Sequence, residues 1–236
     1  METLAHLAYR WLALDLSAAQ QQAFQRYLEE LLHWNQRFNL TAIREPEAIL
    51  TKHFLDSLSV LRVTGCLNGR RVIDVGTGAG FPGLVLKIGC PFMRLTLVES
   101  VNKKAAFCRH MVAVLGMKDV KVWVGRAEDL GHDPAHREQY DWAVARAVAR
   151  LPILAEYLLP FVRLGGAMVA QKGENGPVEV QAARHALEVL GGELEHMQGL
   201  TLPSITETRY LIVVRKRAAT PALYPRRAGI PAKRPL

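Results

Sequence analysis

Positions 74 to 83 read Asp-Val-Gly-Thr-Gly-Ala-Gly-Phe-Pro-Gly. A carboxylate closes the apolar pair Val72-Ile73, glycine recurs at every second position, and a proline opens the next segment. Glycine lets a backbone turn tightly and lets a ligand come within contact distance of the main chain. Pro82 suits the first turn of a helix, where its missing N–H costs nothing. The segment therefore predicts a strand, a nucleotide-cradling loop and a helix, with the chemistry concentrated in the loop.

Two ligands fit that shape. Gly78-x-Gly80-x-x-Gly83 matches the dinucleotide fingerprint, whose amides hold a pyrophosphate at a helix N-terminus. Asp74-x-Gly76-x-Gly78-x-Gly80 resembles instead the first motif of class I S-adenosylmethionine-dependent methyltransferases. Charge favours the second. A carboxylate at the head of the loop repels a diphosphate and attracts a sulfonium and an α-ammonium. Asp74 can equally cap the loop by accepting from its amides. About 20 residues on, Leu95–Val98 closes on Glu99, followed by Ser100 and Val101. An acid there accepts hydrogen bonds from ribose hydroxyls, a feature both cofactors share.

More reactive side chains end the later apolar runs. Ala127 and Glu128 follow Val120–Val124, where they can pack on and hydrogen-bond an adenine, or complement a helix dipole. Arg146 sits in the small, apolar Ala145-Arg146-Ala147 and must find a partner, because an isolated buried charge is strongly unfavourable. Lys172 ends the next run and can reach the same cleft. His53 and Asp56 lie three apart on one helix face and read as a structural pair before a catalytic one. Trp34 and Phe38 read as core anchors.

The elements that must position these residues alternate. A helix capped by Ser17-x-x-Gln20 carries Phe24, Tyr27, Leu28, Leu31 and Leu32, and a shorter helix over 3–13 precedes it. A third helix, opened by Pro46, runs up to Gly65. Strands are then expected at 70–75, 94–99, 120–124, 141–147 and 166–171, with helices at 81–89, 101–115, 151–163 and 176–190 between and after them. An antiparallel pair at 193–199 and 208–216 closes the pattern. This is an α/β fold: a doubly wound, mostly parallel seven-stranded sheet, Rossmann-like, with a helical extension over 1–65, a core over 66–217 and an arm over 218–236. Ligands then sit beyond the carboxyl ends of the strands, where Asp74 and Glu99 both fall.

Composition narrows the setting. The 236 residues are half hydrophobic, with no basic-then-apolar leader and no run of membrane-spanning length. Cys66, Cys90 and Cys108 lack any ligand spacing, so reduced, buried thiols in a cytoplasmic, metal-free protein are expected. The net charge is +8, and from Arg209 onward there are eight basic residues and no acidic one. That arm also holds Pro221, Pro225, Pro231 and Pro235, so beyond Arg217 it is expected to be extended, without regular helix, and suited to a phosphate backbone.

With these residues in place, the chain resembles the 16S ribosomal RNA guanine-N7 methyltransferase family known as RsmG or glucose-inhibited division protein B. The resemblance spans nearly the whole length. It runs through Trp34-Asn35, Asn39-Leu40-Thr41, His53–Leu58, Asp74–Gly83, Val98-Glu99-Ser100, Lys103-Lys104, Arg126-Ala127-Glu128, Arg146–Ala149 and Lys172-Gly173 to Tyr224-Pro225-Arg226-Arg227. Ala228 stands where a proline is common. The resemblance implies S-adenosyl-L-methionine as cofactor, held by Gly76, Phe81, Glu99, Ser100, Val101, Ala127, Glu128 and Arg146, and the loop itself adds Asp74 and Gly78 to the expected cofactor site. The resemblance also implies N7 of the guanine at position 527, in the 530 loop, as target; from their place at the strand ends, Arg146 and Lys172 are expected to orient the cofactor and the guanine. Arg226, Arg227, Lys233 and Arg234 are expected on the RNA, presented as 16S rRNA or a small-subunit assembly intermediate, and the protein as a monomer. Another RNA guanine, as in tRNA, a non-catalytic RNA-binding factor or an NAD-dependent oxidoreductase are the rival readings.

Overall fold

The computed structural model describes residues 3–203 and 205–236. Two helices lead, α1 (Leu4–Leu12) and α2 (Ala18–Phe38). The capping box at the start of α2 is reciprocal: Ser17 Oγ accepts from the Gln20 amide and Gln20 Oε1 from the Ser17 amide. Phe24, Tyr27, Leu28 and Leu31 form its buried stripe.

The third helix is not continuous. It divides into α3 (Pro46–Ile49), a π-helical stretch at Leu50–Leu55, α4 (Asp56–Leu58) and α5 (Leu61–Thr64). Thr51 Oγ1 donates back to the carbonyls of Glu47 and Ala48, a contact that bends helices. The carbonyls of Lys52 and His53 within the widened turn accept from a distant arginine, described below.

Seven strands follow: β1 (Arg71–Val75), β2 (Arg94–Glu99), β3 (Val120–Val124), β4 (Tyr140–Arg146), β5 (Val162–Lys172), β6 (Gly192–Leu200) and β7 (Arg209–Lys216). They lie in the order β3-β2-β1-β4-β5-β7-β6, with β7 antiparallel to both its neighbours and the rest parallel. The direction of winding reverses between β1 and β4, so the crevice for a ligand opens where Val75 and Arg146 end their strands. Helices α6 (Gly83–Gly89) and α7 (Asn102–Val114) join α1 and α2 on one face. The other face is covered by α8 (Ala127–Leu130), α9 (Leu151–Leu158), α10 (Gly176–Ala182) and α11 (Arg184–Val189).

Several boundaries differ from the sequence expectation. Pro82 precedes α6 as its N-cap, because Gly80 at φ +92° keeps the chain in a turn. The helix expected over 151–163 stops at Leu158; a single 3-10 turn holds Pro160, and β5 starts at Val162. The 176–190 helix breaks at Ala183. The arm, expected to lack helix, ends in one helical turn, α12 (Ile230–Lys233), with Pro231 in its first turn, a position that needs no N–H. Cys66 is exposed, not buried, with its sulfur 3.8 Å from that of buried Cys90.

Candidate functional site

The glycine loop is held from beneath. Asp74 is fully buried, and its Oδ2 accepts from Thr77 Oγ1 at 2.6 Å and the Gly83 amide at 2.8 Å. Its Oδ1 has no partner, and burial pushes the carboxyl up to about 6. Asp74 is thus a loop cap, and any attraction it exerts on a cationic ligand acts through the loop. Tyr27 Oη donates to the Ala79 carbonyl at 2.6 Å, tying the N-terminal helices to the loop. A Cβ at Gly80 would stand 2.4 Å from that hydroxyl, and one at Gly76 2.7 Å from Val148 Cγ2. Gly78, at φ +61°, has open space where its Cβ would be.

Glu99 joins both sides of the crevice. Oε2 accepts from the Gly78 amide and Oε1 from the Val101 amide, each at 2.8 Å. Each oxygen keeps acceptor capacity for a hydroxyl. Ser100 and Val101 are exposed where α7 begins, and Ala127 and Glu128 are buried where α8 begins. Glu128 is already engaged: its Oε1 accepts from the Gly229 amide of the arm at 3.2 Å.

Arg146 has found the partner its surroundings require. Its Nη1 donates to Asp56 Oδ2 and to the Lys52 carbonyl, both at 3.0 Å, and its Nη2 lies 3.1 Å from His53 Nδ1. The guanidinium lies 5.0 Å from the Phe81 ring centroid. His53 stacks on Phe81 at 4.5 Å and Tyr27 stacks on it at 5.5 Å. Phe81, expected at the cofactor, therefore supports Arg146 from within an aromatic stack. Burial and the Arg146 charge lower the His53 pKa to about 3, and its Nε2 is bonded to Thr41 Oγ1 at 2.7 Å. His53 and Asp56 do form a structural unit, but through Arg146.

Arg146, Lys172, Lys52 and Arg150 line a cleft of about 520 Å³ beside the loop. Lys172 Nζ pairs with Glu179 Oε2 at 2.8 Å and donates to the Ala149 carbonyl. Two further lining residues carry buried polar atoms without partners, Gln171 Oε1 and Arg209 Nε. The sequence singles out neither as a site residue: Gln171 lies in an apolar strand run, and Arg209 is one of eight basic residues from position 209 onward.

The arm is tied down. Arg226 forms a bidentate pair with Glu156, a fully buried carboxylate, with Nη2 to Oε2 at 2.6 Å and Nε to Oε1 at 2.9 Å. The Arg137 guanidinium donates to the carbonyls of Gly131, Thr220, Pro221 and Tyr224. Arg215, Lys216 and Arg217 pair with Glu195, Glu138 and Glu193. Arg226 is thus a structural cation, whereas Arg227, Lys233 and Arg234 are exposed. Among the described residues no cluster of His, Cys, Asp or Glu could hold a metal ion, and no helix is long and apolar enough to cross a membrane.

The sheet order, the glycine loop at the switch point and Glu99 on the neighbouring strand define a class I S-adenosylmethionine-dependent methyltransferase fold. Solved structures of low identity share it. The chain matches TrmN from Thermus thermophilus with a TM-score of 0.56 at 19% identity, covering 77% of this chain and 53% of that one. It matches the [4+2]-cyclase SpnF with a TM-score of 0.58 at 15% identity, covering 86% and 98%. The family profile described as rRNA small subunit methyltransferase G matches residues 20–208. Proteins named ribosomal RNA small subunit methyltransferase G are 50% identical to it in Roseiflexus sp. (strain RS-1), over the whole of both chains. The one from Symbiobacterium thermophilum is also 50% identical, over 89% of this chain and 87% of its own. The chain belongs to the rRNA small subunit methyltransferase G family and is a methyltransferase of ribosomal RNA. That family implies S-adenosylmethionine over a nicotinamide dinucleotide for the glycine loop. The residues fit it, because Gly78 has open space where a Cβ would stand and Glu99 retains acceptor capacity.

Proposed function

We propose that the chain methylates N7 of the guanine at position 527, in the 530 loop of 16S rRNA. One observation carries this choice of atom: the cleft beside the loop offers no free general base. Both nitrogens of His53 are engaged and its conjugate acid is strongly disfavoured. Asp56 is paired with Arg146, Glu179 with Lys172, and Asp74 lies under the loop. An acceptor with a lone pair and no proton, such as guanine N7, requires no base.

Bound S-adenosylmethionine supplies an electrophilic methyl group. The chain's own residues align and desolvate. Glu99 receives the ribose hydroxyls while holding Gly78 and Val101 in place. Val101 and Ala127 bracket the adenine, and Ser100 and Glu128 lie at its rim. Arg146, fixed by Asp56 and the π-helical carbonyls, orients the methionine end of the donor and the guanine. Lys172 keeps a third N–H for the guanine O6.

On the arm, Arg227, Lys233 and Arg234 contact phosphates, and Arg226 does not. Three contacts to single-stranded RNA correspond to a log–log salt slope of about −2, where four would give about −3. The decisive experiment maps modified nucleotides in rRNA from cells with and without the protein. Loss of 7-methylguanosine at position 527 is the expected result. Loss of a methyl from an exocyclic amine, from another guanine or from a tRNA would overturn the assignment.

A further inference from the structure

At the starts of β1, β2 and β3, the end of the sheet away from the glycine loop, lies a second cleft of about 440 Å³. Its walls carry Arg71, Arg94 and Lys121, and its floor Thr96, His136 and Tyr140. Parallel register sets Arg71 against Arg94 and Thr96 against Lys121. Arg94 and Thr96, two apart on β2, share a face, so all three cations project to the same side of the sheet. The floor is a fixed hydrogen-bonded chain: Tyr140 Oη donates to Thr96 Oγ1 at 3.1 Å and is bonded to His136 Nδ1 at 2.5 Å.

These cations differ from the paired ones. Arg146, Lys172, Arg163, Arg215, Arg217 and Arg226 each meet a carboxylate within 4 Å. Among the described residues, Arg71, Arg94 and Lys121 meet none. The side-chain contacts of Arg71 are Gln139 Oε1 at 3.4 Å and the face of the Tyr140 ring at 5.4 Å. Asp119 is the one carboxylate lining the cleft, leaving an excess of two positive charges there. His136 is held below the ordinary imidazole range by burial and by Lys121 and Arg71, against the opposing pull of Asp133. Like charges set in adjacent register repel, and an anion between them relieves that repulsion.

We propose that this cleft is a phosphate subsite for the backbone of the RNA substrate, separate from the methyl-transfer cleft. Arg94 and Lys121, both exposed, reach the non-bridging oxygens, and Arg71 stands behind them. A polymer is favoured over a free nucleotide, because the Tyr140 ring is covered by Arg71 and offers no open face to a base. The strand rise separates this cleft from the glycine loop by about 13 Å, so the RNA touches both ends of the sheet. The inference rests on the rRNA substrate and not on which base is methylated.

The test compares Arg94→Ala/Lys121→Ala with Arg37→Ala/Arg184→Ala, which removes the same charge from exposed positions elsewhere. Binding of transcribed small-subunit rRNA is measured from low to moderate salt, and S-adenosylmethionine binding by calorimetry. The cleft variant is expected to weaken RNA binding several-fold and to flatten the log–log salt slope by about 1.4, that is 0.7 for each lost contact. Cofactor affinity should stay at the wild-type value, and the control pair should leave the slope near wild type. Equal slopes for the cleft variant and wild type would overturn the proposal. So would equal losses in the two variants, which would reduce the effect to net charge, or inorganic phosphate binding lost in the cleft variant while RNA binding is kept. Wild-type protein that failed to bind rRNA would instead remove the substrate reading itself.

Discussion

The two ends of the central sheet use positive charge in opposite ways. At the carboxyl end, Arg146 and Lys172 are each paired with a carboxylate and hydrogen-bonded to carbonyls, so they are rigid and nearly neutralised. At the amino end, Arg71, Arg94 and Lys121 converge without such partners. Chemistry needs atoms held in place, and pairing provides that at the cost of field strength. Backbone recognition needs field strength and tolerates motion. A cation's task in this molecule is therefore read from what it is bonded to, not from its presence in a basic stretch.

The sharpest way to break the comparison is at Arg146. Arg146→Ala should reduce methyl transfer by about a hundredfold or more in kcat, the scale for losing a preorganised donor. Arg146→Lys should not restore it, because one ammonium cannot hold Asp56, the Lys52 carbonyl and His53 together. Near-normal single-turnover rates in either variant would mean that pairing does not matter there.

Next in size is the arm. Arg226→Ala leaves the buried Glu156 carboxylate with the residue's backbone N–H but without its guanidinium, and should lower unfolding free energy by about 3 kcal/mol in urea titrations. If Arg226 behaved like the exposed Arg227, the two alanine variants would melt alike. A smaller effect concerns Asp74. Its folded pKa, about 6, exceeds its ordinary value of 3.8. The stability it contributes is therefore full below about pH 4 and is lost as pH rises through 6. Affinity for the cationic donor should run the other way, falling as pH drops from 7 to 5 while the carboxylate under the loop is neutralised. Calorimetry across that range should show the fall in wild type and not in Asp74→Asn. The smallest expected effect is on stability at the amino end: Arg94→Ala/Lys121→Ala should leave Tm unchanged or raise it slightly, since no carboxylate is stranded and the repulsion with Arg71 is relieved.

The fold was largely legible because its signals are local. Glycine spacing, the capping box at Ser17 and Gln20, and alternating apolar runs each report on neighbours in the chain. The candidate loop and Glu99 were legible for the same reason. The π-helical turn was not, because what engages its carbonyls is an arginine more than ninety residues away. Gln171 was hidden for a related reason: its significance lies in an oxygen left unpartnered, which no spacing encodes.

By itself, then, the sequence determined the strand order's raw material, the nucleotide-binding loop and the count of charges. Only the folded chain decided which charges remain available. It joined Arg146 to Asp56 across ninety residues and Arg226 to Glu156 across seventy, while leaving Arg71, Arg94 and Lys121 side by side. Coulomb attraction acts through space, and burial sets its strength, so composition can total the charges but cannot assign their partners.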